Sequence, residues 1–311
     1  MIDRADRPPR MEVTIGRGLK LKNPVMAASG TFGYGEEFAR YVDLNSLGAI
    51  VVKGLSLEPA SGNPPPRIME TPCGMLNSIG LQNVGVRVFL AEKLPFLRNY
   101  DTAVIANIFG ETMDEYARLS EILSGAEGLK AVEVNVSCPN VEKGGIAFGS
   151  YPDRVAEVTR AVKGSTDLPV IVKLSPNVTD IALIAEAAEG AGADAVSLIN
   201  TLKGMSIDVE RRVPHIAKVV GGLSGPAIRP IALRMVWEVV NRVSIPVIGV
   251  GGIVDGSDAL QFLIAGARAV QVGTANFMDP TATTKVLEGI TDYMNRHYVR
   301  DINDLIGTLR V

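Results

Sequence analysis

Eight short runs rich in Val, Ile and Ala recur along the 311 residues, and they constrain the fold more than any other feature. They cover residues 25–29, 49–53, 103–107, 131–135, 170–174, 195–200, 247–251 and 269–273. Near-continuous apolar runs, rather than alternating ones, mark parallel strands covered on both faces. Helical patterns lie between them. Ile181, Ile184, Ala185 and Ala188 keep a helical spacing, with Thr179 as the expected N-cap and Gly190 at the end. Leu260, Leu263, Ile264 and Ala267 repeat that spacing after Ser257, and Asp279-Pro280 is expected to open the last helix. Residues 12–22 alternate around Gly16-Arg17-Gly18, the pattern of a small hairpin. Strand and helix repeated eight times predict an α/β fold, a (β/α)8 TIM barrel over residues 1–311 as one domain with an N-terminal hairpin. A doubly wound open sheet is the alternative, and eight regular units with a terminal helix fit closure better.

The net charge of −3, with both signs interspersed among 21% charged residues, argues against a nucleic-acid surface. The two cysteines, Cys73 and Cys138, form no C-x-x-C pair and no zinc spacing, which suits a reducing compartment. An all-cysteine iron–sulfur cluster needs four thiolates and is excluded. The first ten residues have no apolar signal region, and no apolar run reaches the ~20 residues of a membrane span. The expectation is a soluble cytoplasmic protein with no membrane or nucleic-acid partner.

Three connections, 54–84, 136–151 and 201–228, far exceed the usual βα loop. Each follows a strand, so all three should crowd the C-terminal mouth of the barrel, where such barrels keep their sites. Chemistry also collects at the strand ends: Ala28-Ser29, Lys53-Gly54, Asn107, Asn135, Lys173, Asn200-Thr201, Gly251-Gly252 and Gly273-Thr274. One polar residue at a strand end merely satisfies backbone. Two lysines and three asparagines at one mouth call for a ligand, because a buried ammonium is costly without an acceptor. The glycines after the last two strands expose backbone N–H groups at the usual phosphate site of this barrel. The dinucleotide pattern fails at Val254, so one phosphate is expected, as in FMN or a sugar phosphate.

The connection after the second strand carries Met75-Leu76-Asn77-Ser78-Ile79-Gly80-Leu81-Gln82-Asn83, whose amides offer both donor and acceptor to a neutral amide-bearing ring. The run Asn135-Val136-Ser137-Cys138-Pro139-Asn140 stops a strand at a thiol between two amides, ahead of a loop softened by Gly144, Gly145 and Gly149. A buried structural cysteine fits that stretch as well as a functional one. His215 and His297 are isolated, which points to structural or surface roles and no metal site; Trp237, in an amphipathic helix, is expected in the core.

Together, the Asn135–Asn140 run, Lys53-Gly54, Asn77-Ser78-Ile79-Gly80-Leu81, Val172-Lys173-Leu174, Ile199-Asn200-Thr201 and the two glycine pairs resemble the dihydroorotate dehydrogenase family, class 1. The continuation through Gly145, with Thr201, looks most like subclass 1B, the FMN subunit. Cysteine at 138 and the short N-terminus differ from the membrane-bound class 2, which uses serine as base. The resemblance implies oxidation of (S)-dihydroorotate to orotate in pyrimidine (UMP) biosynthesis. It assigns FMN to Ala28, Ser29, Lys53, Gly54, Asn107, Asn135, Lys173, Ile199, Gly225, Gly251, Gly252, Gly273 and Thr274. It assigns dihydroorotate to Lys53, Asn77, Ser78, Ile79, Gly80, Leu81, Asn135, Asn200 and Thr201, with Cys138 as the general base that takes the C5 proton while hydride leaves C6. Lys173 would stabilise negative charge on the reduced flavin. FAD and a [2Fe–2S] cluster would reside on a separate subunit that passes electrons to NAD+, in a heterotetramer built around a homodimer of this chain.

Rival readings remain at this level. A subclass 1A enzyme would reduce fumarate directly. A lyase or aldolase would use Lys173 as a Schiff base but leave Asn77, Asn135, Asn140 and Cys138 idle. A flavin reductase of RNA pyrimidines would want a basic face, and a non-catalytic scaffold would not need lysines and amides at one mouth.

Overall fold

The structure, a computed structural model, describes residues 8–137, 139–140 and 146–311. Eight parallel strands close into a barrel in sequence order: β1 (Val25–Ala27), β2 (Ala49–Val51), β3 (Ala103–Ile108), β4 (Leu129–Asn135), β5 (Val170–Lys173), β6 (Ala195–Leu198), β7 (Val247–Val250) and β8 (Ala269–Val272). β8 pairs with β1, placing Gln271 opposite Met26. Almost every strand residue is buried, because the barrel filling covers one face and the helices the other. Six of the strands stop one or two residues short of the sequence boundaries, whereas β3 runs one residue further, to Ile108, and β4 ends at Asn135 as expected. Lys53, Asn200, Gly251 and Gly273 therefore sit just past the strand ends, in the loops of the mouth.

The expected hairpin is present, with Val13–Ile15 antiparallel to Leu19–Leu21. It closes the N-terminal end of the barrel, where Gly16 passes so close to the Asp194 carbonyl that no Cβ would fit.

Several local expectations are corrected. The first strand is not followed by an α-helix: turns lead to a 3-10 turn at Leu44–Ser46, because Gly30, Gly33 and Gly35 all take positive φ. The N-cap at 180 is Asp180, which accepts from the N–H groups of Ala182 and Leu183, in place of Thr179; a carboxylate is the stronger acceptor. The helix at Gly256–Ile264 is capped by Asp255, ahead of Ser257. The last helix runs Ala282–Arg296, two residues later than Asp279-Pro280 suggested, since Asp279 accepts from Thr281 and pairs with Lys285 instead of capping. Trp237 is 39% exposed and outside the core: its helix, Arg229–Val240, buries Ala232, Met235, Val236 and Val239.

The largest correction lies at the mouth. Segments 54–84 and 201–228 are not plain loops. They supply a four-stranded antiparallel sheet, in the order Leu202–Gly204, Gly221–Ser224, Gly74–Asn77, Ile68–Thr71. The sheet forms one wall of the mouth, and its second and third strands put Gly222 opposite Asn77.

Behind the barrel, two helices approach through bare backbone. A Cβ on Gly256 would lie 2.5 Å from the Gly289 carbonyl carbon. Gly256→Ala is expected to lower unfolding stability by about 1–3 kcal/mol, the usual cost of overpacking a tight contact. Urea unfolding reads it directly, and an unchanged midpoint would contradict the close packing.

Candidate active site

The strand ends and the antiparallel sheet enclose a cavity of about 800 Å³. Ala28, Ser29, Lys53, Asn135, Lys173, Ile199, Gly225, Gly251, Gly252, Gly273 and Thr274 line it, as do Asn77, Ser78, Ile79, Gly80, Leu81, Asn200 and Thr201. Two sequence-predicted residues stay behind the lining. Asn107 donates to Glu133 at 2.7 Å, and Gly54 packs against the Asn107 side-chain oxygen and the Phe109 ring. Cys138 lies outside the described residues.

At the ends of β4 and β6, one amide network ties two predicted contacts together. Asn200 Nδ2 donates to Ser137 Oγ at 2.8 Å and to Asn135 Oδ1 at 3.3 Å; Asn135 Oδ1 also accepts from the Ser137 N–H. The buried Tyr116 hydroxyl donates to the Asn135 carbonyl at 2.7 Å, fixing that strand end from the helix side. Ser137, the residue just before Cys138, is thus held through both its N–H and its hydroxyl, on a strand end that Tyr116 fixes at Asn135.

The two lysines differ. Lys173 is almost fully buried and lies 3.5 Å from Glu133. Lys53 is half-buried, and no described residue hydrogen-bonds its ammonium. Burial first, and then the positive charge of Arg67, holds its pKa below the ordinary lysine value. An ammonium so placed gains most from an anionic ligand.

At the other rim the backbone is bare by necessity. Gly251 and Gly252 take φ of +133° and +73°, and a Cβ on Gly252 would meet Arg229, which pairs with the buried Asp258. Gly273 is different: a Cβ there would meet protein only at ordinary contact distance, 3.5 Å from Ala28. Packing does not demand glycine at 273; its bareness leaves room in the cavity. Across the rim, Thr274 Oγ1 donates to Ser224 Oγ at 2.8 Å.

Sequence reasoning missed the polar residues inside the barrel: Glu133, Ser197 and Gln271. Their signal was present, as single polar residues inside otherwise apolar strands. It also missed Ser137, Arg67, Tyr34 and Glu37 in the lining.

A closed parallel barrel with two lysines, clustered amides and bare glycine backbone at its C-terminal mouth has the site of a barrel enzyme, one suited to an anionic ligand. The comparisons carry this further. A profile of the dihydroorotate dehydrogenase family matches residues 11–294. The chain is 59% identical over 301 residues to dihydroorotate dehydrogenase B (NAD(+)), catalytic subunit, of Trichlorobacter lovleyi, covering 97% of this chain and 99% of that protein. It is 57% identical over 303 residues to the protein of the same name from Geotalea daltonii, with the same coverage. The crystal structure of DHODH from Eimeria tenella in complex with ferulenol superposes with a TM-score of 0.79 at 22% identity, covering 99% of this chain and 90% of that one, which supports the barrel fold. The chain belongs to the dihydroorotate dehydrogenase family.

The family implies a flavin, and the residues present fit one. The cavity has room for a flavin nucleotide beside a small acid, with bare backbone at Gly273 and, at Lys53, an ammonium unpaired among the described residues. The Ser78 hydroxyl, in the expected substrate segment, is buried with no hydrogen-bond partner among the described residues. A buried polar atom of that kind is satisfied by what the cavity binds.

Proposed function

We propose that this chain binds one FMN, oxidises (S)-dihydroorotate to orotate, and is the catalytic subunit of an NAD+-linked enzyme. One observation carries the reading: Lys53, Asn135, Asn200 and Lys173, contributed by four different strand ends, line a single cavity with the glycine rim.

In this reading Gly251, Gly252, Gly273 and Thr274 would hold the phosphate, and the Lys173 ammonium would stabilise negative charge on the reduced flavin. Bound FMN supplies the acceptor for the hydride that leaves C6. Lys53, Asn77, Asn135 and Asn200 orient dihydroorotate, and Ser78 to Leu81 close over it. Cys138 takes the C5 proton; the thiolate is the active form, so turnover rises toward alkaline pH. Electrons then leave for a partner subunit carrying FAD and a [2Fe–2S] cluster and on to NAD+, within a heterotetramer around a homodimer of this chain. The names of the similar proteins from T. lovleyi and G. daltonii, catalytic subunits of an NAD+ enzyme, support this acceptor over fumarate. No helix among the described residues is long and apolar enough to cross a membrane, which accords with a cytoplasmic setting.

Reoxidation tests the acceptor. After bleaching by dihydroorotate, the purified chain is expected to stay reduced with NAD+ or fumarate alone and to recover colour with NAD+ once the partner is added. Recovery with fumarate alone would place it in subclass 1A.

Lys53 makes a pH prediction. Its pKa lies below the usual value, so the free enzyme loses this ammonium earlier in the alkaline range than an exposed lysine would, and loses hold of an anionic substrate with it. Bound substrate favours the charged form, so beyond the rise set by the Cys138 thiolate kcat/KM is expected to fall with pH while kcat stays level. A parallel fall of both would place the titration elsewhere.

A further inference from the structure

Inside the barrel, below the cavity, lies a carboxylate that the reaction as proposed does not use. Glu133, on β4 two residues before Asn135, is completely buried. It accepts from Gln271 Nε2 at 2.6 Å, Asn107 Nδ2 at 2.7 Å and Ser197 Oγ at 2.9 Å, and the Lys173 ammonium lies 3.5 Å away. These four groups come from β8, β3, β6 and β5, so the carboxylate gathers donors from around the whole barrel. Burying a charge of this kind rarely adds stability: apolar residues of the same volume usually serve as well or better. The neighbouring strand shows what an apolar filling looks like, since Ile171 stands opposite Glu133 in the register. Packing therefore does not account for the charge.

The position of Lys173 does. It lines the cavity, and Glu133 is its one hydrogen-bond partner among the described residues. At 3.5 Å the pair is long, and the carboxylate is already held by three shorter hydrogen bonds. The ammonium is thus tethered from behind, with donors left to face the cavity.

We propose that Glu133 is a positioning residue: it holds the Lys173 ammonium at the cavity floor and, by partly offsetting its charge, sets the reduction potential of the flavin bound above it. This rests on the reading that FMN sits against Lys173. The sign follows from Coulomb's law in a poorly screened interior. A negative charge beneath the site disfavours the electron-rich reduced flavin, so removing that charge should favour it. Glu133→Gln keeps the shape of the side chain. Gln271 Oε1, a buried acceptor without a partner among the described residues, can take the new amide N–H once the Gln271 amide turns over.

The test is a spectroelectrochemical titration of bound FMN in the wild-type chain and in Glu133→Gln. The expected result is retained FMN with a midpoint shifted to more positive potential. A purely structural glutamate would lower the Tm and leave the midpoint where it was, and that result would overturn the proposal. Should Glu133→Gln fail to fold, Gln271→Met removes the 2.6 Å donor and keeps the carboxylate. Its less compensated charge is expected to move the midpoint the opposite way, to more negative potential, and an unmoved midpoint overturns the proposal again. A wild-type chain that takes up no FMN would bring down the functional reading and this inference with it. Normal FMN binding with variants at the wild-type potential brings down the inference alone.

Discussion

Cys138→Ala is expected to keep its FMN and to slow the bleaching of that flavin by dihydroorotate by about 10²–10⁴-fold, the usual cost of removing a general base. Ser137 lines the cavity and is tied to Asn135 and Asn200, and Pro139–Asn140 pairs with Ile146–Ala147 in a two-stranded ladder. Cys138 falls in sequence between the anchored Ser137 and this ladder. Proton removal from C5 is needed only in the transition state, so the loss should fall on the rate of reduction and not on substrate affinity. Stopped-flow reduction under anaerobic conditions separates the two. Reduction at the wild-type rate would remove Cys138 from the mechanism.

The second large effect is on the buried pair. Lys173→Met is expected to lose most of its FMN and to destabilise the chain by about 3–5 kcal/mol, because it leaves a carboxylate without its counter-charge in the barrel interior. Three neutral donors still hold Glu133, which places the expectation near the lower end of that range. Adding Glu133→Gln to Lys173→Met should restore part of the stability, because neither charge is then buried alone. Denaturant unfolding of the four proteins of this cycle measures the coupling. Additive losses would mean that the two side chains do not act as a pair.

Much of this was legible before any coordinates. The eight apolar runs predicted closure because strands buried on both faces need helices outside and side chains inside. Strand-end residues such as Lys53, Asn135, Lys173 and Asn200 could be placed at one mouth by topology alone, since parallel strands all end on the same side. What stayed hidden depends on contacts between distant residues. The mouth sheet joins 68–77 to 202–224, and neither half signals a strand on its own: Gly221-Gly222 and Gly74 are poor strand formers that pair because the chain is brought close there. The interior cluster of Glu133, Ser197 and Gln271 was hidden for a similar reason. Each is one polar residue in an apolar strand, and only barrel closure turns them toward a common point. Asn107 shows the limit of reading strand ends one by one, since its side chain turns to Glu133 and away from the cavity. Trp237 shows the limit of amphipathic patterning, because a large indole on the shoulder of a helix can remain at the surface.

The most direct test of the central claim is an anaerobic visible spectrum of the purified chain, recorded before and after dihydroorotate is added. A yellow protein with flavin bands that bleach on mixing is the predicted result, and it would establish the flavin, the substrate and the reductive half-reaction in this one cavity. A chain that stays colourless when FMN is supplied, or a yellow one whose bands persist with dihydroorotate, would contradict it.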